Sequence, residues 1–290
     1  MMNVQKSYTN TETGTLYIVP TPIGNLEDMT YRAVQTLTEV HQIAAEDTRN
    51  TKKLLSHFDI HTPLVSYHEH NKQEREGYLL DKLVNGEDIA VVSDAGMPGI
   101  SDPGADLVKA AVTRDLPVVV LPGANAAICA LVGSGLKTDF FHFCGFLPRK
   151  KKDREQELTV WKQLQATLIF YESPHRLKDT LKAMLTVLGN RNASLSRELT
   201  KKYEEYVRGD LEELLSWAEA TELRGEFCIT VEGSQEEDVE DTLWWSSLSV
   251  VEHVEHYIEN DNLSSKQAIK QAAKDRKLPK REVYQAFHVE

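Results

Sequence analysis

The chain has 290 residues, 41% of them hydrophobic and 27% charged, enough for a large core spread over two or three domains. With 33 basic against 45 acidic side chains, it carries a net charge of −12, which argues against indiscriminate coating of nucleic acid. No apolar run is long enough for a membrane span, and GxxxxGK[ST], GxSxG, HExxH and CxxC are all absent.

The opening MMNVQKSYTNTETG has no apolar centre, so it reads as a short disordered tail over residues 1–13 and not as a secretory signal. From residue 14 the pattern alternates strands and helices. LYIVPTP (16–22), QIAAED (42–47), LVSYHEH (64–70), DIAVVSD (88–94) and LPVVVLPG (116–123) read as strands. Helices are expected at 31–40, 49–58, 71–86, 102–114, opened by Pro103, and 124–135. Nearly unbroken apolar strands between helices mean a parallel sheet, in an α/β domain over residues 14–138. A second α/β domain follows at 139–233. Its strands are expected at 140–148, 167–174, 193–199, 202–209 and 226–233, and its helices at 153–164, 175–189 and 210–220. Two strands without a helix between them make that sheet mixed or antiparallel.

SQEEDVED opens an acidic linker (234–248). Three short helices then form a helix-turn-helix-like module over residues 249–290, with Ser264 or Ser265 as an N-cap and Pro279 as a helix opener. Cys129, Cys144 and Cys228 are odd in number and widely spaced in apolar context, which reads as reduced core thiols in a cytoplasmic protein.

Three Pro/Gly-rich segments, PTPIGNLED, SDAGMPGISDPG and LPGANAA, each follow a strand of the first domain. One alone would be an ordinary βα turn. Three at the carboxyl edge of one parallel sheet form a backbone cradle for a polar ligand with few charges. That suits a zwitterionic, adenine-bearing molecule better than a triphosphate. AAEDTRNTKK brings Glu46, Asp47 and Arg49 near the same edge. SRELTKKYEE concentrates charge in the second domain, either as a solvated ladder or facing the cleft. His68 and His70 of YHEHN would share a strand face but lack a third ligand of matching character, so no metal site is expected. His253 and His256, flanked by glutamates, read as a solvated helix face. The basic runs RKKKDR (149–154) and SSKQAIKQAAKDRKLPKR (264–281) are either solvated faces or contacts for a polyanion.

TPIGNLED, AAEDTR, YHEHN, SDAGMPGISDPG, LPGANA, GFLPRK, YESPHR and RELTKKYEE occur in this order across residues 21–205. Together they resemble the bacterial ribosomal RNA small subunit methyltransferase I family, of the tetrapyrrole-methylase superfamily. The resemblance implies two α/β domains with S-adenosyl-L-methionine in the cleft between them, and a homodimer. It implies methylation of a cytidine 2′-hydroxyl in the decoding centre of 16S rRNA, within the small ribosomal subunit. Cofactor contacts carry over to Pro22, Ser93, Asp94, Ala95, Gly96, Ile100, Asn125, Ala126, Tyr171 and Leu199, with Asp94 and Asp102 as loop-shaping or hydrogen-bonding residues. Small-molecule members carry GxGxGD after the first strand. PTPIGNLED stands there in this chain, which speaks against a tetrapyrrole substrate.

The reaction needs a proton acceptor but no metal. Lys201 and Glu46 lead the candidates, ahead of Asp47 and Glu198, with Arg49 and Arg197 orienting carboxylates or phosphate. RNA contacts are expected from Arg149, Lys150, Lys151, Lys152 and Arg154, and from Lys266, Lys270, Lys274, Arg276, Lys277, Lys280 and Arg281. A small-molecule methyltransferase and a non-catalytic ribosome-binding protein with a relic pocket remain the competing readings.

Overall fold

The computed structural model describes residues 4–7, 12–235, 245 and 247–288. Its first half alternates β1 (Leu16–Ile18), α1 (Tyr31–Glu39), β2 (Gln42–Ala45), α2 (Thr48–His57), β3 (Leu64–Ser66), α3 (Lys72–Val84), β4 (Ile89–Val92), α4 (Ala105–Thr113), β5 (Val118–Val120) and α5 (Ala126–Ser134). The five strands form a parallel sheet in the order β3-β2-β4-β1-β5. The central strand β4 is buried at every position, and the sheet carries an apolar cluster on each face. This is why its sequence shows no polar alternation.

The second half holds β6 (Phe141–Phe146), α6 (Lys151–Val160), β7 (Thr167–Glu172), α7 (Leu177–Leu188), β8 (Asn192–Arg197), β9 (Glu205–Asp210), α8 (Leu211–Ala220) and β10 (Phe227–Val231). The order is β6-β7-β10-β8-β9, with only the β6–β7 pair parallel, so this sheet is mixed. α6, α7 and α8 cover one face around Phe170, Leu181, Leu195 and Ile229. The other face receives α5, whose Ala127, Ala130 and Leu131 pack on Ile169, Leu199 and Cys228. Residues Met1–Ser234, with both sheets, form one compact unit, and Gln235–Glu290 form a second.

Four local expectations change. The strand expected at 64–70 stops at Ser66, because the Asn71 amide donates to the Ser66 carbonyl and hydroxyl (3.2 Å each) and accepts the His68 N–H (2.8 Å). α4 begins at Ala105, past Pro103, after Gly104 turns the chain at φ +141°. α6 begins at Lys151, two residues before the expected start, so most of RKKKDR is a helical turn. Gln5, inside the stretch expected to be disordered, exchanges two hydrogen bonds with the Val118 backbone (2.8 and 2.9 Å). Edge strand β5 has backbone groups free to accept this amide. Most of the expected acidic linker lies outside the described residues.

The second unit contains α9 (Val250–Glu259), α10 (Ser265–Asp275) and α11 (Lys280–His288) around Val254, Ile269, Ala272 and Val283. Capping boxes Ser249–Glu252 and Ser264–Gln267 open the first two helices. His253 is not on a solvated face: it is fully buried and stacked on Trp245, with ring centroids 5.0 Å apart. Arg276 donates to His253 Nδ1 (3.0 Å) and to the carbonyls of Trp245, Leu248 and Ser249. Arg276 is therefore committed inside its own unit and is withdrawn from the expected RNA contacts. Replacing it (Arg276→Ala) strands those acceptors. The expected loss is roughly 2–3 kcal/mol in this unit, read as faster amide exchange over residues 249–288 with exchange over residues 14–234 unchanged.

Candidate functional site

Strand register assembles one side of the site. β2 pairs with β4 as far as Ala45↔Val92 and with β3 as far as Ala45↔Ser66. The residues just beyond those ends therefore leave the sheet side by side: Tyr67 and His68, then Glu46 and Asp47, then Ser93 and Asp94. The segment after β1 joins them through an isolated bridge, in which Thr21 and Gly96 exchange two N–H···O=C bonds of 2.9 Å. Gly96 sits at φ +77°, and a Cβ there would meet Ile23 Cγ2 at 3.3 Å, so any other residue strains the bridge.

The opposite wall comes from the second sheet. The end of β7 (Tyr171, Glu172), the start of β10 (Phe227, Cys228) and the end of β6 (Phe146) meet the β8–β9 turn that carries Leu199 and Lys201. Between the walls lies a cleft of about 490 Å³, within the size range of small-molecule sites. Asp94, Ala95, Gly96, Ile100, Asn125, Ala126, Tyr171 and Leu199 line it, as do Glu46 and Lys201. Ser93 lies beneath the lining, 2% exposed, and Pro22 is represented there by its neighbour Ile23. Asn125 caps α5, its side chain accepting the Ile128 N–H (3.1 Å), which turns the start of that helix toward the cleft.

The proton-acceptor candidates separate once their partners are visible. Asp47 is the N-cap of α2 and is held by Arg49 through its Nε (3.0 Å) and Nη2 (2.6 Å), which lower its carboxyl to about 2. Arg49 is otherwise exposed, and neither residue lines the cleft. Lys201 Nζ lies 2.9 Å from Glu198 and 2.8 Å from Glu226. Burial pulls the lysine pKa down, but those two bonds outweigh it and leave the value raised. Lys201 is thus an ammonium at neutral pH, which removes it from the lead as a base. Glu198, at φ +51°, accepts from Lys201 Nζ and the Glu226 N–H; burial raises its pKa, but these bonds outweigh it and leave the value lowered. Arg197 bonds the Arg224 carbonyl and Glu205 within the second sheet and does not reach the cleft lining.

Glu46 behaves differently. Burial, then the neighbouring Asp94 charge, raises its pKa, although the Asp94 backbone hydrogen bond opposes the shift. Asp94 is occupied at the same edge by the Asp47 N–H (3.2 Å) and Asn50 Nδ2 (3.0 Å). Asp102 also lines the cleft and is pushed up to about 6 by burial first and Glu46 second. The sequence reads Asp102 as a loop-shaping or hydrogen-bonding residue, and it does lie in a loop with its side chain bonded to Ser93. Only the fold of SDAGMPGISDPG back over Ser93 brings it beside Glu46. Glu172, Phe146, Glu226 and Cys228 were missed because their neighbours in the cleft are remote in sequence. Cys228 is buried as expected, whereas Cys129 is exposed.

Among the basic candidates, Arg149, Lys150, Lys151 and Lys152 are exposed around the start of α6. Arg154 is not: it is 5% exposed on the packed side of that helix, so it cannot meet phosphate there. Lys266, Lys270 and Lys274 are exposed on α10, opposite its buried Ala268, Ile269, Ala272 and Ala273. Lys277, Lys280 and Arg281 are exposed at the turn that follows and the start of α11. No group of three metal-ligating side chains occurs among the described residues, and no described helix is long and apolar enough to cross a membrane.

A family model described as Tetrapyrrole (Corrin/Porphyrin) Methylases matches residues 15–215. The chain is 59% identical to ribosomal RNA small subunit methyltransferase I of Halalkalibacterium halodurans, over 100% of both chains. It is 55% identical to the protein of that name from Bacillus subtilis, covering 100% of this chain and 99% of the relative. Similar folds include diphthine synthase (TM-score 0.59, 11% identity, 76% of this chain and 90% of that one). Another is uroporphyrin-III C-methyl transferase from Thermus thermophilus complexed with S-adenyl homocysteine (TM-score 0.54, 21% identity, 75% and 97%).

The raised Asp102 carboxyl has a consequence for stability. Between the ordinary aspartate pKa near 4 and about 6, the folded chain binds more protons at this site than the unfolded chain does. Stability contributed here is therefore full below that window and is lost as pH rises through it. Asp102→Asn should flatten the decline and make the protein more stable than the parent above about pH 6, as measured by urea unfolding at stepped pH.

Proposed function

We propose, on the premise that this chain belongs to the tetrapyrrole methylase family and to its ribosomal RNA small subunit methyltransferase I members, that it methylates the ribose 2′-hydroxyl of a cytidine in the decoding centre of 16S rRNA. S-adenosyl-L-methionine is the methyl donor. The residues of the cleft suit that molecule: Ile23, Leu199, Phe227 and Cys228 offer apolar surface to its adenine, and the Asp94 carbonyl and the Ala95 N–H offer hydrogen bonds. Glu46, Asp94 and Asp102 offer negative charge to its sulfonium and amino groups. When bound, the cofactor supplies an electrophilic methyl group on that sulfonium.

What this chain's residues must add is alignment of the ribose oxygen and removal of its proton. The observation that carries the assignment is Glu46: a cleft-lining carboxylate made more basic by burial and by Asp94, and lacking the arginine that occupies Asp47. Glu46 accepts the hydroxyl proton. Lys201, charged and held between Glu198 and Glu226, faces the same space and steadies negative charge on the nucleotide. The exposed lysines of α10 and the start of α6 bind RNA phosphates, with Arg154 excluded because it is buried and Arg276 because its guanidinium is committed to His253 and three carbonyls. The working molecule is a cytoplasmic homodimer acting on the small ribosomal subunit.

Labelled S-adenosylmethionine incubated with small subunits from a strain lacking this enzyme should leave label in a 2′-O-methylcytidine on nuclease mapping; no label in RNA would overturn the reading. Glu46→Gln should lower methyl transfer by about 10²-fold or more with cofactor affinity within a few-fold of the parent. The parent rate should fall on acidification through a pKa above the ordinary glutamate value, because the base is lost as Glu46 protonates. Alanine at Lys266, Lys270 and Lys274 together should weaken subunit binding and flatten its salt dependence by up to about three counterions, leaving cofactor binding intact.

A further inference from the structure

Phe146 lines the cleft but has no part in the reading above. It ends β6, in a stretch where that strand breaks its own alternation. Phe143 pairs with Ile169 of β7 and the next pair is Gly145 with Phe170, so Cys144 is an extra residue in the ladder. Gly145 makes this bulge in the left-handed region, at φ +67°. In a regular strand Phe143 and Phe146, three positions apart, would lie on opposite faces of the sheet. The bulge instead pairs Phe146 with Tyr171, and both phenylalanine rings meet the Tyr171 ring, with centroids 5.0 and 5.6 Å away. Cys144 turns the other way, against the cluster under the helices.

The bulge does not serve burial. Phe146 stays 55% exposed, whereas Leu199, Phe227 and Cys228, also of the lining, are at most 7% exposed. A Cβ on Gly145 would lie 3.7 Å from Ser101 Oγ, so the loop that carries Ile100 meets β6 at this point. Ile100 and Phe146 are the two large apolar side chains of the lining that remain exposed among the described residues. The cleft therefore has an enclosed apolar end and an open apolar mouth. The enclosed end suits the adenine of a small cofactor, and the mouth is what a polynucleotide reaches first.

Cations follow at once. Arg149, Lys150, Lys151 and Lys152 are exposed and begin three residues past Phe146, no more than about 11 Å away along the chain. The connection is fixed, because Arg176 donates to the carbonyls of Leu147 (2.5 Å) and Pro148 (3.2 Å). Its guanidinium lies 3.6 Å from the fully buried Glu172 carboxylate, which also accepts from Thr180 Oγ1 and the Ser173 N–H, 2.7 Å each. An exposed aromatic face beside a fixed row of cations is the chemistry that holds an unpaired nucleic-acid strand: rings take bases and cations take phosphates.

We propose that Phe146 is the platform on which the base of the target nucleotide stacks when it leaves its own stack in the RNA. Ile100 bounds the same mouth, and the flanking phosphates run to Arg149, Lys150, Lys151 and Lys152. Stacking there holds the ribose at the cleft, which is the alignment that methyl transfer needs. Every base has an aromatic face, so Phe146 fixes where the nucleotide lies and not which base it carries.

This rests on the ribose-methylation reading, and a binding measurement without turnover keeps the two apart. Small subunits are titrated with the protein in the presence of S-adenosylhomocysteine, at several salt concentrations. Phe146→Leu keeps an apolar side chain against Tyr171 but removes the aromatic face, and should bind roughly tenfold or more weakly. Its salt slope should match that of the parent, because a neutral ring releases no counterions, while alanine at Lys150, Lys151 and Lys152 together should flatten the slope. Phe146→Tyr should bind as the parent does, and both Phe146 variants should keep S-adenosylhomocysteine affinity within a few-fold. Parent-like subunit binding by Phe146→Leu, equal weakening in Phe146→Tyr, or a loss that tracks S-adenosylhomocysteine affinity would each overturn the proposal. A parent protein that binds subunits but labels no RNA would instead sink the methylation reading, and the contrast between the two Phe146 variants would still decide the stacking.

Discussion

Two hydrogen bonds between Thr21 and Gly96 hold the site together. They join the segment after β1 to the segment after β4, three residues past Ile18 and four past Val92, where those strands end. Without them, each Pro/Gly-rich stretch would be a separate turn. With them, Asp94, Ala95 and Gly96 form one fixed wall, and the following loop folds back to deliver Asp102 beside Glu46. The Thr21 hydroxyl adds a bond to the Ser93 carbonyl (3.1 Å), so the same residue anchors both ends of the turn. Only glycine takes the backbone conformation that the bridge needs at position 96 without strain.

The second constraint is parallel pairing. Because β3, β2, β4 and β1 run the same way, their carboxyl ends fall on one edge, and the register decides which side chains become neighbours. Glu46 and Asp94 are 48 positions apart in the chain, yet pairing makes them electrostatic partners. The same register separates two adjacent carboxylates into different roles. Asp47 turns back to cap α2 and hold Arg49, while Glu46 points into the cleft. Desolvation and like charge then do to Glu46 what an arginine prevents at Asp47.

Much of this was legible in the sequence. Strand and helix order, the three cradle segments and about half of the residues lining the cleft follow from apolar periodicity, Pro/Gly chemistry and the eight ordered strings. Lys201 shows where such reading stops. A lysine in a charged string is a plausible base until its partners are known, and Glu226, 25 positions away, was not visible as one. Arg154 and Arg276 failed for a related reason. Each lies in a basic run, but helical phase turns Arg154 inward and the end of α10 lays Arg276 on His253 and three carbonyls, so a charge run read along the chain overstates what solvent sees. His253 failed likewise: glutamate neighbours suggested a wet face, whereas Trp245 and Arg276 enclose it.

What the sequence determined by itself is therefore local and chemical: the alternation of elements, the conformations that glycine and proline permit, and the kinds of group present at each strand end. What tertiary structure alone decided is pairing, meaning which carboxylate keeps a cation, which is stripped of water and which faces the cleft. Ionisation depends on neighbours within a few ångströms and on burial, and in a parallel sheet those neighbours come from strands separated by whole helices. Composition shows that Glu46, Asp47, Asp94 and Asp102 are acids. Only the packed edge of the sheet makes one of them a cap, one a bridge and two of them carboxyls held above their usual range.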